Sequence, residues 1–125
     1  MKKNIKYDIS IPEKSEYFKL FVSTGWNEDY NMTADELIST LKNSWFCVSA
    51  YDQNKLIGFG RILSDGLLHA MIFDMIVLPE YQYKGIGNEI LKRLLGKCKE
   101  HKIRDIQLFS AKGKMDFYKK NGFVT

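Results

Sequence analysis

Val77-Leu78-Pro79-Glu80-Tyr81-Gln82-Tyr83-Lys84-Gly85-Ile86-Gly87 joins an apolar run to an amphipathic one, and the fold turns on that joint. Upstream lies Leu67 to Leu78, LLHAMIFDMIVL, rich in β-branched side chains, interrupted by the single acid Asp74 and bounded by Gly66 and Pro79. Those bounds and that composition predict a central strand. Downstream, Ile86, Ile90, Leu91, Leu94, Leu95 and Cys98 recur at helical spacing, while Lys92, Arg93, Lys97 and Lys99 fall mostly outside the stripe. The pattern predicts a helix over 86–100. Ile103 to Ser110 reads as another strand. Strand 67–78, helix 86–100 and strand 105–110 therefore form a right-handed βαβ crossover.

Working outward, Tyr7 to Ile11 alternates up to Pro12 and reads as a short strand, and Glu13 to Ser23 carries Tyr17, Phe18, Leu20 and Phe21 at helical spacing. Gly25 and Trp26 break that helix, and 26–32 reads as a loop. Thr33 with Glu36 is a capping box, which opens a second helix ending near Asn43. Trp45 to Tyr51 and Lys55 to Leu63 are strands joined by Asp52-Gln53-Asn54, a hairpin. Ser64-Asp65-Gly66 is a further turn. Lys114 to Asn121 reads as a short last helix with Gly122 in the C′ position. The order β-α-α-β-β-β-α-β-α describes one mixed α/β domain spanning residues 1–125.

The chain has 125 residues, 45% hydrophobic and 27% charged, enough apolar material for one core and too little length for two. No apolar stretch reaches the ~18 residues of a membrane-spanning helix, and the opening MKKNIKYDIS lacks the apolar block of a signal peptide. The expectation is a cytoplasmic protein that contacts no membrane. Cys47 and Cys98 are two isolated thiols, which argues against a disulfide framework and against a metal site. Charge is divided unevenly: residues 1–81 hold 8 Lys+Arg against 11 Asp+Glu, and residues 82–125 hold 11 against 4. An anion is expected at the C-terminal third.

Gln82-Tyr83-Lys84-Gly85-Ile86-Gly87 stands where that anion would bind. Glycines at a helix start let a ligand approach the backbone, and the unpaired amides and positive dipole end face it, which suits a phosphate. The Walker pattern requires Gly-Lys-Ser/Thr, and a dinucleotide loop requires glycine where Ile90 stands; neither is present. The stretch resembles instead the Gln/Arg-x-x-Gly-x-Gly/Ala pyrophosphate loop of the GNAT superfamily of N-acetyltransferases. Val77 to Gly87 is similar to that family's fourth strand, loop and third-helix start. Phe117-Tyr118-Lys119-Lys120-Asn121-Gly122-Phe123 is similar to its FYxxxGF segment, and Leu56 to Arg61 followed by Ser64-Asp65-Gly66 to its third strand. The likeness covers residues 5–125 and is nearest to small amine-acetylating members related to the serotonin N-acetyltransferase type.

The resemblance implies a mixed central sheet whose fourth and fifth strands splay apart, flanked by helices, with the C-terminal strands short or missing because the sequence given stops at Thr125. It implies acetyl-CoA as co-substrate, no metal, and a primary amine of a small molecule or peptide as acceptor, attacking the thioester directly in a ternary complex. Strand backbone at Ile76, Val77 and Leu78 would hold the pantetheine, and Tyr83, Lys84, Gly85, Ile86, Gly87 and Asn88, behind Gln82, the pyrophosphate. Tyr118 matches the tyrosine that protonates the departing thiolate.

The positions where family members carry a basic residue align with Met71 and Phe73, which accept no proton; His69 is two residues further along that face. Asp74 points to the opposite face by alternation unless a bulge turns it, and is either a structural hydrogen-bonding hub or the group that holds the substrate ammonium. Trp26 in the loop 26–32 suits one wall of the acceptor pocket. Two rivals stand beside this reading: a catalytically inactive acyl-CoA-binding module, and an RNA-binding domain, which the lack of aromatics interleaved with the basic residues disfavours. An open edge at the fifth strand would suit a homodimer. No nucleic-acid partner is expected.

Overall fold

A computed structural model describes residues 4–109 and places in them ten elements: β1 (Ile5–Asp8), α1 (Lys14–Val22), α2 (Asn27–Tyr30), α3 (Ala34–Leu41), β2 (Phe46–Asp52), β3 (Lys55–Ser64), β4 (His69–Val77), a 3-10 turn (Pro79–Tyr81), α4 (Ile86–Glu100) and β5 (Asp105–Leu108). The five strands form one sheet in sequence order, antiparallel except for the parallel pair β4–β5. The predicted final helix, 114–121, lies outside the described residues.

Local chemistry sets the element boundaries and explains where they depart from the sequence reading. β1 ends at Asp8, not at Pro12, because the Asp8 carboxylate accepts the Ser10 N–H at 3.0 Å and folds the chain over. β4 starts at His69 and not at Leu67: the Asp65 carboxylate takes the amides of Leu67 and Leu68 at 2.9 and 2.8 Å, so those residues belong to the turn. The segment 26–32, read as a loop, contains the single-turn helix α2, held by the Asn27 side chain, which donates to Met32 O and accepts from Met32 N–H. The Thr33–Glu36 capping box forms as its spacing requires.

Each face of the sheet carries its own core. On one face α4 lays Ile86, Ile90, Leu91, Leu94 and Cys98 against Val48, Ala50, Ile62, Ala70 and Ile72. On the other, Tyr17, Leu20 and Phe21 of α1 and Leu37 and Leu41 of α3 close over Cys47, Leu56, Phe59 and Ile76. Gly60 lets α4 come so near: a Cβ there would lie 2.7 Å from Met75 Sδ and 2.9 Å from Ile90 Cγ2.

Candidate active site

The pairing of β4 with β5 runs only from His69 opposite Asp105 to Ile72 opposite Leu108, closed by the Phe109 amide on Ile72 O at 3.1 Å. From Phe73 onward β4 keeps β3 on one side and has no strand on the other among the described residues. β4 carries a β-bulge against β3 just beyond this pairing. Phe59 stands opposite Ile76 and Arg61 opposite Phe73, so Gly60 faces two residues, Asp74 and Met75. Asp74 takes the left-handed conformation that an extra bulged residue requires, φ +56°. Its carboxylate is thereby turned to the face that α1 and α3 cover, where it meets Arg61.

Backbone polarity follows the ladder. Leu78 donates its N–H to Ile57 O at 2.9 Å, on the β3 side, and the alternation of an antiparallel pair directs Ile76 the same way and Val77 outward to the open edge. There the Gln82 side chain donates to Val77 O at 2.9 Å. Of the three strand residues singled out in the sequence, Val77 therefore presents its backbone to the side away from β3. Gln82 folds back to brace the strand end rather than pointing into the loop.

The loop reaches α4 through two left-handed residues, Tyr83 at φ +64° and Gly85 at φ +84°. Tyr83 is fully exposed and Lys84 exposed. Gly85 occupies the N-cap with no side-chain cap, and the first helical bond runs from Glu89 N–H to Gly85 O at 3.1 Å. The turn before Glu89, which begins at Ile86, thus presents the positive end of the helix dipole outward. Among the described residues a Cβ built on Gly85 meets nothing within 4 Å. This is an open cradle beside the end of β4. Its entrance is pinned by the Tyr81 hydroxyl, which donates to Asp52 of β2 at 2.5 Å.

The wall opposite belongs to α1, α2 and α3. Trp26 packs edge-on against Phe21 with centroids 5.7 Å apart and is half-buried on the second core. Tyr17 lies in the same wall; burial, with the negative charge of Asp74 adding to it, pushes its phenol far above the ordinary value, so it stays protonated. Phe73 stacks on Phe109 at 4.6 Å, and His69 pairs with Asp105 at 2.8 Å at the opposite end of β4 from Val77. Tyr118 lies outside the described residues, and these contain no cluster of groups fit to hold a metal ion. A cavity of about 240 Å³ between β1, β2 and the outer side of α4 is elsewhere; its Arg93 already pairs with Glu89 at 2.7 Å.

Arg61, named in the sequence only within the stretch that resembles the family's third strand, and Tyr17, named only in an apolar helical stripe, were given no role in the site. The signal for Arg61 was present: in LIGFGRIL it occupies a strand position whose neighbours two residues away, Phe59 and Leu63, are apolar, and a cation there requires a partner.

A strand end that turns its backbone outward at Val77, beside an uncapped glycine-led helix start, can admit an extended chain ending in a phosphate. Comparison with known proteins points the same way. A family model described as an acetyltransferase (GNAT) domain matches residues 10–125. The chain is similar to an uncharacterized N-acetyltransferase, ycf52, of Gracilaria tenuistipitata var. liui, at 32% identity over 111 residues, 86% of this chain and 59% of that protein. Its Pyropia yezoensis counterpart is 34% identical over 67% of this chain and 51% of its own length, so the chain spans little more than half of these curated relatives. Among solved structures, a probable acetyltransferase of unknown function from methicillin-resistant Staphylococcus aureus superposes with a TM-score of 0.86 at 27% identity, covering 98% of this chain and 91% of that one. A predicted acetyltransferase of Clostridium acetobutylicum, solved with acetyl-CoA, shares the fold with a TM-score of 0.74 at 20% identity, over 98% and 91%.

Proposed function

Because the chain belongs to the GNAT acetyltransferase family, we propose that it transfers an acetyl group from acetyl-CoA to a primary amine of a small molecule or peptide within a ternary complex. The observation that carries this reading is the uncapped, glycine-led start of α4 beside the end of β4, where Val77 turns its backbone away from β3. The residues present fit the co-substrate: among the described residues space stands open above Gly85, and Val77 turns its backbone away from β3.

In this reading acetyl-CoA supplies an activated thioester. The amine lone pair forms the new N–C bond, the C–S bond breaks, and the thiolate leaves as a thiol once protonated. The strand end at Ile76 to Leu78 orients the extended arm, and the amides from Tyr83 to Asn88 with Lys84 face the pyrophosphate. Backbone N–H at the strand end stabilises the negative charge that develops on the acetyl oxygen. Tyr118 is the donor to the thiolate. Trp26 lines the acceptor side, and Asp74 presents a carboxylate to the incoming ammonium; the proton this nitrogen must lose leaves through a base or a water chain.

The test has two arms on the full chain. Acetyl-CoA should raise the melting temperature, by the equivalent of roughly 2.7 kcal/mol at a hundred times Kd, while NAD and ATP do so far less. Thiol release should follow on adding one of a panel of primary amines that includes 2-phenylethylamine and spermidine. No thermal shift at millimolar acetyl-CoA refutes the reading. A shift with no thiol release across the panel would leave a non-catalytic acyl-CoA-binding module.

A further inference from the structure

Arg61 stands at the centre of β3 with its side chain only 12% exposed, and its guanidinium joins three separate pieces of the chain. Nε donates to Asp74 Oδ2 at 2.7 Å. Nη1 donates to Thr40 O, in the last turn of α3, at 3.0 Å, and to Ser44 Oγ, in the connection from α3 to β2, at 3.3 Å. The contact with Thr40 also sets a cation at the negative end of a helix. One side chain thus ties the bulge in β4 to the helix that forms part of the opposite wall.

The orientation of the pair matters. Asp74, at 22% side-chain exposure, is the more open member and Arg61 the more enclosed. Asp74 Oδ2 is taken by the arginine, and no hydrogen bond to Oδ1 is present among the described residues. The arginine therefore fixes where the carboxylate points, and its own charge lies behind that carboxylate. A flexible Asp at a left-handed bulge has no other restraint of this kind; the fork geometry of Arg supplies direction that the point charge of Lys does not.

We propose that Arg61 is a positioning residue for the acceptor half of the site, holding Asp74 so that Oδ1 meets the acceptor nitrogen at one place and angle. The inference rests on the acetyl-transfer reading and extends it to a residue that touches neither substrate. Its effect should appear in turnover and not in acetyl-CoA binding, because the cradle at Gly85 and the strand end at Val77 make no contact with Arg61.

The experiment compares wild type, Arg61→Lys, Arg61→Gln, Asp74→Asn and the double variant Arg61→Gln/Asp74→Asn as full chains. Calorimetry gives the acetyl-CoA Kd. Thiol release gives kcat and KM for whichever of 2-phenylethylamine and spermidine the wild type acetylates faster. Arg61→Gln should keep the acetyl-CoA Kd within about twofold and lower kcat by roughly 10- to 100-fold, the range for a misplaced reacting group. Arg61→Lys should recover part of that loss. In the Asp74→Asn background Arg61→Gln should cost little more, since the arginine acts through that carboxylate. A structural role alone predicts additive losses and an acetyl-CoA Kd that worsens together with kcat, and either result overturns the inference, as does unchanged kcat in Arg61→Lys and Arg61→Gln. Should Arg61→Gln fail to fold, Arg61→Lys against Asp74→Asn decides the matter by the same comparison. If the wild type binds acetyl-CoA but acetylates neither amine, the acetyl-transfer reading for these acceptors falls and this inference with it; if it acetylates one and the variants behave additively, only the inference falls.

Discussion

Gly85→Asn separates the two jobs of the residue that opens α4. Gly85 sits at φ +84°, ψ 1°, where a β-carbon is disfavoured, yet a Cβ there meets no atom of the described residues within 4 Å. Stability is therefore threatened through the backbone alone. An L-residue in the left-handed region costs roughly 1–2 kcal/mol, and Asn, whose short polar side chain tolerates that region, should come in at or below the lower figure. The helix itself rests on Ile90, Leu91 and Leu94, all fully buried and untouched by the change. For a domain of this size about 1 kcal/mol corresponds to a few degrees of melting temperature. The space above Gly85 is where the proposed pyrophosphate lies, so the same side chain should obstruct it. The assay is a melting curve with and without acetyl-CoA, backed by calorimetry. The expected result is a folded variant, melting a few degrees below wild type, that has lost the acetyl-CoA-dependent rise. A folded Gly85→Asn whose affinity stays within twofold of wild type would refute the cradle and leave Gly85 as a helix cap.

Gly60→Ala should act in the opposite manner, lowering stability by about 1–3 kcal/mol through overpacking, because its Cβ would stand 2.9 Å from Ile90 Cγ2 and 3.0 Å from Leu94 Cδ1; denaturant unfolding measures it. Tyr118→Phe should retain acetyl-CoA affinity and slow acetyl transfer by on the order of 10² to 10³, and the defect should shrink with an acyl donor whose leaving thiol is more acidic. Cys47 and Cys98 are buried, and burial raises the Cys47 thiol to about 11, so neither should react with a disulfide reagent at pH 8 until the protein unfolds; rapid labelling of the native chain would contradict the packing. Backbone amides of Leu67 and Leu68 hold the Asp65 carboxyl below its ordinary value. Its contribution is thus complete above the ordinary carboxylate range and lost as pH falls through the depressed value, and Asp65→Asn should flatten that part of the acid limb.

Most of the fold was legible because it is written in periodicity and caps. The stripe from Ile86 to Cys98 and the Thr33–Glu36 box translate directly into α4 and the start of α3. What escaped depends on side chains that bond backward along the chain. The ends of β1 and β4 are set by Asp8 and Asp65 capturing nearby amides, a competition between local hydrogen bonding and strand pairing that hydrophobic pattern does not register. The helical turn at Asn27 arises the same way, from one side chain bonding both backbone groups of Met32.

The site was legible to the extent that it is backbone. Glycine spacing before a strong helix locates the cradle, since only the conformation at Gly85 and the exposed first turn are needed to form it. Asp74 shows where such reading ends. Alternation assigns it to the α4 face, and a single extra residue in β4 moves it to the other, so its chemistry depends on a register shift opposite Gly60. The same shift places Asp74 within reach of an arginine thirteen residues earlier in the chain, on the neighbouring strand. The sequence contains the acid, the arginine and the left-handed-tolerant residue type, but only the paired strands bring them together. A bulge that ends at a fixed carboxylate gives the sheet two consequences from one insertion: a shifted register for the strand end that leads to the glycine-led helix, and an oriented anion on the face opposite α4. Donor and acceptor halves of the proposed site are therefore coupled through the backbone at Asp74, so Asp74→Ala, which removes both the carboxylate and the tolerance for φ +56°, should impair acetyl-CoA binding as well as turnover, whereas Asp74→Asn should impair turnover alone.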